Sequence, residues 1–477
     1  MTRTAESVDR LPSPALPGRA ARFTASERTR RWAGPAWLLL VSVLLVTMHV
    51  AGYTKVGPVD ELQHIDYLSR SPALVSPGDS VGQDAMREQS CRGIDAGHVS
   101  PPCSETAVYD PRAYQEIGLN TAAINTPLYY TVTKVFAAPL LLVPGLDSIV
   151  TAGRLVGALW MALGLLLAFA AGRRLNIDRA PLTALLTIFA CVPMVLYPAA
   201  TITPDAASFA AGAGVFLACL YWEEAPRRRW PILAAVAAVA LLIKMTNVVI
   251  LIAIGLYLVI RWVRAVVARR TGTTALEPAA RSGYDADDPS AQPASTWVLG
   301  AVLVAVTTLV VAGGTLALQA ALAYGPENAA PMSARFGVDT FPRGALIEQI
   351  GVFLYPFGGG GVVVGTYAIQ MLTERFVGTL YVAGMVAAAL FGSVTARVRS
   401  YAQALLLTVI VAGPVFVVIG YVGQGVYVPS PGRYAATLVP AAAVLTAGLV
   451  RTRESRWIVA LMAAAVLLGA LLRLASL

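Results

Sequence analysis

Apolar runs of about twenty residues, the length needed to cross roughly 30 Å of hydrocarbon, recur along most of the chain. Eleven spans are predicted from them, at 37–53, 150–171, 180–198, 206–222, 231–245, 247–265, 296–323, 376–394, 401–421, 434–450 and 456–475. The expected fold class is therefore an all-α polytopic membrane protein with about 11 transmembrane helices. Residues 1–33 form a cytoplasmic N-terminal tail in this reading, and 34–477 a single transmembrane domain. Two polar segments interrupt the pattern, at 54–149 and 324–375, and both are expected outside the membrane. Within the first, Thr126 to Pro144 is apolar but flanked by prolines and contains Lys134. It reads as a juxtamembrane or partly re-entrant helix, because counting it as a span would push Arg173 and Arg174 to the outside.

Composition narrows this picture. With 57% hydrophobic and 13% charged residues the chain is too apolar for an ordinary soluble protein, and no polar stretch suffices for a separate cytoplasmic catalytic domain. The net charge of +9 suits nucleic acid only until it is distributed. On the predicted topology 23 Lys/Arg face 11 Asp/Glu inside, whereas 13 face 16 outside. The basic excess is thus a topological label, and no nucleic-acid partner is expected. Seven arginines precede the first span and hold the N-terminus in the cytoplasm. That span reads as an anchor rather than a cleaved signal peptide, since Val50-Ala51-Gly52-Tyr53 is a poor small-x-small site. The expected location is the cytoplasmic (inner) membrane. The connector 270–295 carries no recognisable chemistry, and the run Gly358 to Gly361 lacks the P-loop pattern.

Cys191 and Cys219 fall inside predicted spans and read as small apolar residues. Cys91 and Cys103 lie in the first external segment, where an oxidising compartment favours a disulfide. Zinc is the alternative, but no second cysteine pair accompanies them and His98 alone is weak support.

The candidate chemistry gathers at one membrane face. After the first span the chain reads Pro58-Val59-Asp60-Glu61-Leu62-Gln63-His64; a helix starting after Pro58 sets Asp60 and His64 one turn apart with Glu61 beside them. Carboxylates with an imidazole suit a general base or a divalent metal, Mg, Mn or Ca; the plainer reading is an acidic first turn capping a helix. Asp205, in Thr203-Pro204-Asp205, stands in a short external loop as N-cap, catalytic group or both. Asp60, Asp205 and His64 are the candidate metal ligands. Arg154, Lys244 and Arg433 lie on the same face, as interfacial anchors or as ligands of a lipid phosphate.

These motifs, in order, resemble the GT-C-fold membrane glycosyltransferases, most closely an uncharacterised bacterial branch. The resemblance rests on Pro-x-Asp-Glu-x-x-His after the first span, Asn125-Thr126-Pro127-Leu128-Tyr129-Tyr130, Pro204-Asp205, Lys244 in its apolar hairpin, and Gly432-Arg433-Tyr434. It runs from about residue 35 to 450. It implies a GT-C-like bundle that transfers a sugar from a polyprenyl-phosphate donor to an extracytoplasmic acceptor: a glycan, a lipid or a protein. Asp60 and Glu61 match the first-loop acidic motif, with Asp60 in the catalytic place, and Asp205 the second-loop acid. Lys244 and Arg433 match positions suited to the donor phosphate; His64, Tyr129, Tyr130, Arg154 and Tyr434 complete the expected substrate contacts. The setting Gly57-Pro58-Val59 departs from the family's usual aromatic or Pro-Pro context. Outside the membrane there is no ATP or nucleotide sugar, so a synthetic reaction there needs a donor activated beforehand. The rival readings are a lipid-linked glycan or small-molecule transporter or flippase, and a non-catalytic assembly protein on the same fold.

Overall fold

The computed structural model describes residues 25–95, 99–271, 292–323, 336–357, 368–391 and 395–477. His98, Gly358 to Gly361 and most of the 270–295 connector lie outside these. Among the described residues the regular elements are helical, with isolated β-bridges only.

Helix α1 (Ala25–Gly52) carries the first span and begins inside the predicted tail, where Ala, Glu and Arg favour helix. Three short helices, α2 (Glu61–Arg70), α3 (Gln83–Arg92) and α4 (Leu128–Ala137), fill the segment before α5 (Ile149–Arg174). The chain continues through α6 (Arg179–Ala190), α7 (Pro193–Ala199), α8 (Ser208–Glu224), α9 (Pro226–Ile243), α10 (Val248–Thr271) and α11 (Ala294–Leu322). It ends with α12 (Arg343–Leu354), α13 (Ala368–Leu390), α14 (Ala396–Gln424), α15 (Val439–Ala447) and α16 (Arg453–Leu474).

The predicted spans fall on helices or pairs of helices, but among the described residues fewer than eleven pass as crossings by length and composition alone. Among the described residues seven helices are long and apolar enough to cross a membrane, and α6 with α7, bent by 70°, makes an eighth if counted as one. The break falls where Pro193 removes a backbone donor. Helix α9 has only 18 residues and opens on Arg227 to Arg229, and the 434–450 segment is a 3-10 turn (Gly432–Leu438) followed by the nine residues of α15.

The segment between α1 and α5 is a packed cap with its own core, in which Val56, Leu62, Ile65, Tyr67, Leu68, Val81, Met86, Tyr129 and Tyr130 are buried. A disulfide between Cys91 and Cys103, with Cα atoms 4.5 Å apart, ties the end of α3 to the chain beyond it. Closing this loop stabilises the cap by about 3 kcal/mol on the chain-entropy model. Helix α4 and its 3-10 extension to Leu142 are too short to cross, and they leave Val135, Phe136 and Leu142 exposed, as a juxtamembrane helix should. Lys134 turns inward and donates to the Ser69 and Ser71 carbonyls at 2.7 Å each.

Close helix approach under the cap depends on two glycines. A Cβ on Gly157 would meet the Ala199 carbonyl oxygen at 1.6 Å, and one on Gly212 the Thr437 carbonyl oxygen at 2.0 Å. They bring α5 against the end of α7, and α8 against the 432–438 turn. The loops bearing Asp205 and Arg433 meet there. Arginines gather at the other ends of the same helices: Arg174 and Arg229 pair with Glu224, and Arg397 with the buried Glu223. Along α5, Arg154 and Arg174 are about 30 Å apart at 1.5 Å per residue.

Candidate active site

Helix α2 begins at Glu61, and Asp60 occupies its N-cap position with φ 59° and ψ 5°. Aspartate tolerates this left-handed conformation better than most residues. The Asp60 carboxylate makes no capping bond, so the plain reading of a capping acid fails. It remains 48% exposed and accepts from Arg433 Nη2 at 3.4 Å. Burial nevertheless raises its pKa above the ordinary carboxylate value, against the charges of Arg433 and Lys244, which lower it.

The expected pairing of Asp60 with His64 on one helical face is not realised. His64 is buried, and its Nδ1 shares a hydrogen bond with the Tyr130 hydroxyl at 2.7 Å. Burial, helped by the Lys244 charge, pushes its pKa down to about 3, so the ring is neutral. Tyr130 in turn stacks on Tyr67 with centroids 4.0 Å apart, and Tyr129 packs against Tyr130 and Trp160. These aromatics form the wall behind His64. Nothing in the sequence singled out Tyr67, although its place one turn after His64 on α2 is the signal that could have found it.

Asp205 is the centre of the cluster. Thr203 caps the 3-10 turn Pro204–Ala207 by accepting from the Asp205 amide, so the expected N-cap is the threonine, and the aspartate side chain is left for other partners. Its Oδ1 accepts from Lys244 Nζ at 2.5 Å, and its Oδ2 lies 3.0 Å from Arg433 Nε. Arg433 therefore bridges Asp60 and Asp205, from 373 residues away in the first case. The Lys244 ammonium lies 5.0 Å from the Tyr434 ring centroid, a cation–π contact. Two carboxylates and two cations, drawn from four separate loops, thus meet at one end of the bundle. Lys244 and Asp205 are nearly enclosed, with side chains 10% and 4% exposed, and Asp60 forms the open side.

Glu61 and Arg154 are paired with each other instead. Glu61 Oε1 and Oε2 accept from Arg154 Nε at 2.8 Å and Nη2 at 2.6 Å. The same carboxylate accepts from the amides of Gly57 at 2.5 Å and Ile202 at 2.9 Å. Arg154 also donates to the carbonyls of Tyr53 and Lys55 at 3.0 and 2.6 Å. Burial alone would raise the Glu61 pKa, but the guanidinium and the amides hold it below its ordinary value. Glu61, expected among the catalytic acids, and Arg154, expected among the substrate contacts, thus form a clamp that fixes the α1–α2 junction against α5 and the Thr201–Thr203 loop.

The divalent ion expected at Asp60, Asp205 and His64 does not fit these residues. Arg433 and Lys244 already balance both carboxylates, and Tyr130 engages His64 Nδ1. No group of three His, Cys, Asp or Glu suited to a metal ion occurs among the described residues.

Comparison with known proteins follows from this arrangement. A family model described as dolichyl-phosphate-mannose-protein mannosyltransferase matches residues 146–279, a stretch that includes Arg154, Asp205 and Lys244. It bears out the resemblance to GT-C membrane glycosyltransferases that the ordered motifs carried. Two crystal structures of ArnT from Cupriavidus metallidurans are similar. The one bound to undecaprenyl phosphate is 16% identical, with a TM-score of 0.45, over 90% of this chain and 63% of that chain. The apo structure is 18% identical, with a TM-score of 0.43, over 90% and 62%. The chain thus spans less than two thirds of the length of that protein. No curated protein matches the sequence.

Proposed function

We propose that this protein is a GT-C-type glycosyltransferase of the cytoplasmic membrane that moves a sugar from a polyprenyl-phosphate donor to an extracytoplasmic acceptor hydroxyl, with inversion at the anomeric carbon. The observation that carries this reading is the pairing of the half-exposed Asp60 with Arg433, which also holds the enclosed Asp205–Lys244 pair. A base facing solvent and cations facing inward divide the site as such a transfer requires. Asp60 takes the proton of the acceptor hydroxyl as that oxygen attacks the anomeric carbon. The new C–O bond forms as the bond from the anomeric carbon to the phosphate oxygen breaks, and its electron pair leaves with the phosphate. Lys244 and Arg433 neutralise the charge that grows there, Arg as a planar fork and Lys as a point charge. Asp205 holds both cations in position. Neutral His64, backed by Tyr130, offers a hydrogen bond to the sugar.

Asp60→Asn preserves shape and removes the base. The purified variant should lose transfer about 100- to 10,000-fold, the usual worth of a general base, with donor binding intact. Normal turnover by Asp60→Asn would sink the assignment. Movement of the intact lipid across vesicles without sugar transfer would favour the transporter reading instead.

A further inference from the structure

We infer that Arg92, at the end of α3, is a positioning residue for Asp60: its guanidinium holds the connection between α1 and α2 in the register that delivers Asp60 to the site. This rests on the reading of Asp60 as the base of a sugar transfer and names what fixes it from the side of the cap.

Asp60 closes an irregular connection that leaves α1 at Gly52 and enters α2 at Glu61. With no helix or sheet to pair them, the backbone groups of this connection must find other partners. Three successive carbonyls are taken by guanidinium groups. Arg154 donates to Tyr53 at 3.0 Å and to Lys55 at 2.6 Å, and between them Arg92 Nη1 donates to Thr54 at 3.2 Å. The amides that follow are taken as well: Val56 donates to the Gly93 carbonyl at 2.9 Å, and Gly57 to Glu61 Oε2 at 2.5 Å. One side of this grip is the Glu61–Arg154 clamp, and the other is the end of α3.

The end of α3 is itself fixed from several directions. Arg92 Nε pairs with Glu88 Oε2 at 2.7 Å, and Glu88 Oε1 accepts at 3.0 Å from Ser148, the N-cap of α5. Arg92 Nη2 donates to Thr151 Oγ1 at 3.1 Å, one turn before Arg154 on the same helix. Arg92 is thereby registered against the element that carries the other guanidinium. Gly93, with φ 78° and ψ 174°, adopts a conformation open in practice to glycine alone, and its carbonyl is the one that Val56 meets. Cys91, immediately before Arg92, is joined to Cys103, and both cysteines are exposed.

All three guanidinium nitrogens of Arg92 are engaged within the protein, so its influence on the chemistry runs through Thr54 and the chain that leads to Asp60. A displacement of about 1 Å at a reacting group can cost about 100-fold in rate even when its cause lies far from the chemistry. A residue that merely stabilises the cap changes how much protein is folded. A residue that aims Asp60 changes the rate only while Asp60 is there to be aimed, and this difference separates the two roles.

The test is a double-mutant cycle on full-length purified protein, with C55 polyprenyl-phosphate hexoses as donors and octyl hexosides or a Ser/Thr peptide as acceptors. Arg92→Gln should lower kcat about 10- to 100-fold, while the affinity for C55 polyprenyl phosphate and the amount bound stay within about twofold of wild type. In an Asp60→Asn background the same substitution should change the residual rate by less than about twofold, because the group it acts through is gone. Dithiothreitol carries the same comparison in protein that is already folded: its two thiols close to a cyclic disulfide as Cys91 and Cys103 take up the two electrons and two protons. Reduction should slow wild type by about threefold or more, reversibly on reoxidation with oxidised glutathione, and leave Asp60→Asn unchanged. Equal losses in the two backgrounds, no loss in either, or a fall in the amount of C55 polyprenyl phosphate bound would make Arg92 a structural residue of the cap and leave the transferase reading intact. Normal turnover by Asp60→Asn would overturn the base and its positioning together, and absence of transfer from every donor would overturn the transferase reading as well.

Discussion

Asp60 and Glu61 are neighbours in the chain, and the fold gives them opposite environments. Glu61 is 1% exposed and meets a guanidinium and two backbone amides, so that Glu61–Arg154 is a closed pair. Asp60 is half exposed, shares its one guanidinium with Asp205, and keeps most of its acceptor capacity. The lesson is that charge and position along the chain do not distinguish a reactive carboxylate from a structural one. Completeness of pairing does. A fully satisfied buried ion pair would have to give up its partners before it could bind anything, whereas an incomplete one can take a substrate at little cost.

The sharpest way to break this comparison is to remove the closed pair. Arg154→Ala leaves Glu61 buried without its counter-charge, and such a loss costs about 3–5 kcal/mol. The variant should give markedly lower yield and melting temperature in detergent. Asp60→Asn should change stability by no more than about 1 kcal/mol, because exposed ion pairs contribute little. Equal stability losses in the two variants would erase the distinction.

Next in size is the cation shared by the open pair. Arg433→Gln should lower kcat about 100- to 1,000-fold, the cost of removing one charge-stabilising donor from a transition state, with a modest effect on melting temperature. A large loss of stability with unaltered turnover would make Arg433 a second structural clamp.

How far the sequence disclosed this contrast depends on distance along the chain. Hydropathy located the spans, and the ordered motifs located Asp60, Asp205, Lys244 and Arg433, because each sits where an apolar run meets a short polar turn. The partnership of Glu61 with Arg154, 93 residues apart, left no local trace. In the sequence Arg154 reads as one more charge at a helix end, and Glu61 as one more acid of the first-loop motif. The Asp60–His64 face failed for a local reason: one left-handed residue ahead of α2 takes Asp60 off the helical repeat. In Thr203-Pro204-Asp205 either the threonine or the acid can cap by residue type, and only the backbone geometry shows that the threonine does.

A smaller effect, on pH, sharpens the account of Asp60. Its pKa is raised, so the protonated and inactive form persists above the ordinary carboxylate range, and transfer should fall as pH drops through that raised value. Arg433 and Lys244 act against the rise, whereas Glu116 and Asp205 add to it. Removing the Arg433 charge should therefore move the acid limb of kcat/KM to higher pH. A limb that stays in place in Arg433→Gln would mean that another group supplies the base.

The smallest expected effect is none. In the closed pair a cation side chain completes the carboxylate, and in the open pair Lys244 and Arg433 do the same for Asp205 and, in part, for Asp60. A divalent ion would have to displace two cations from desolvated carboxylates and compete with Tyr130 for His64. Treatment with EDTA, followed by assay in metal-free buffer, should leave turnover unchanged, and added Mg, Mn or Ca should not raise it. Loss of activity restored by one of these ions would mean that the cluster rearranges when substrate enters, with Arg433 swinging from the carboxylates to the phosphate. In that event Arg433→Gln should tighten metal binding, since it removes the competing charge, and the comparison would describe the resting site alone.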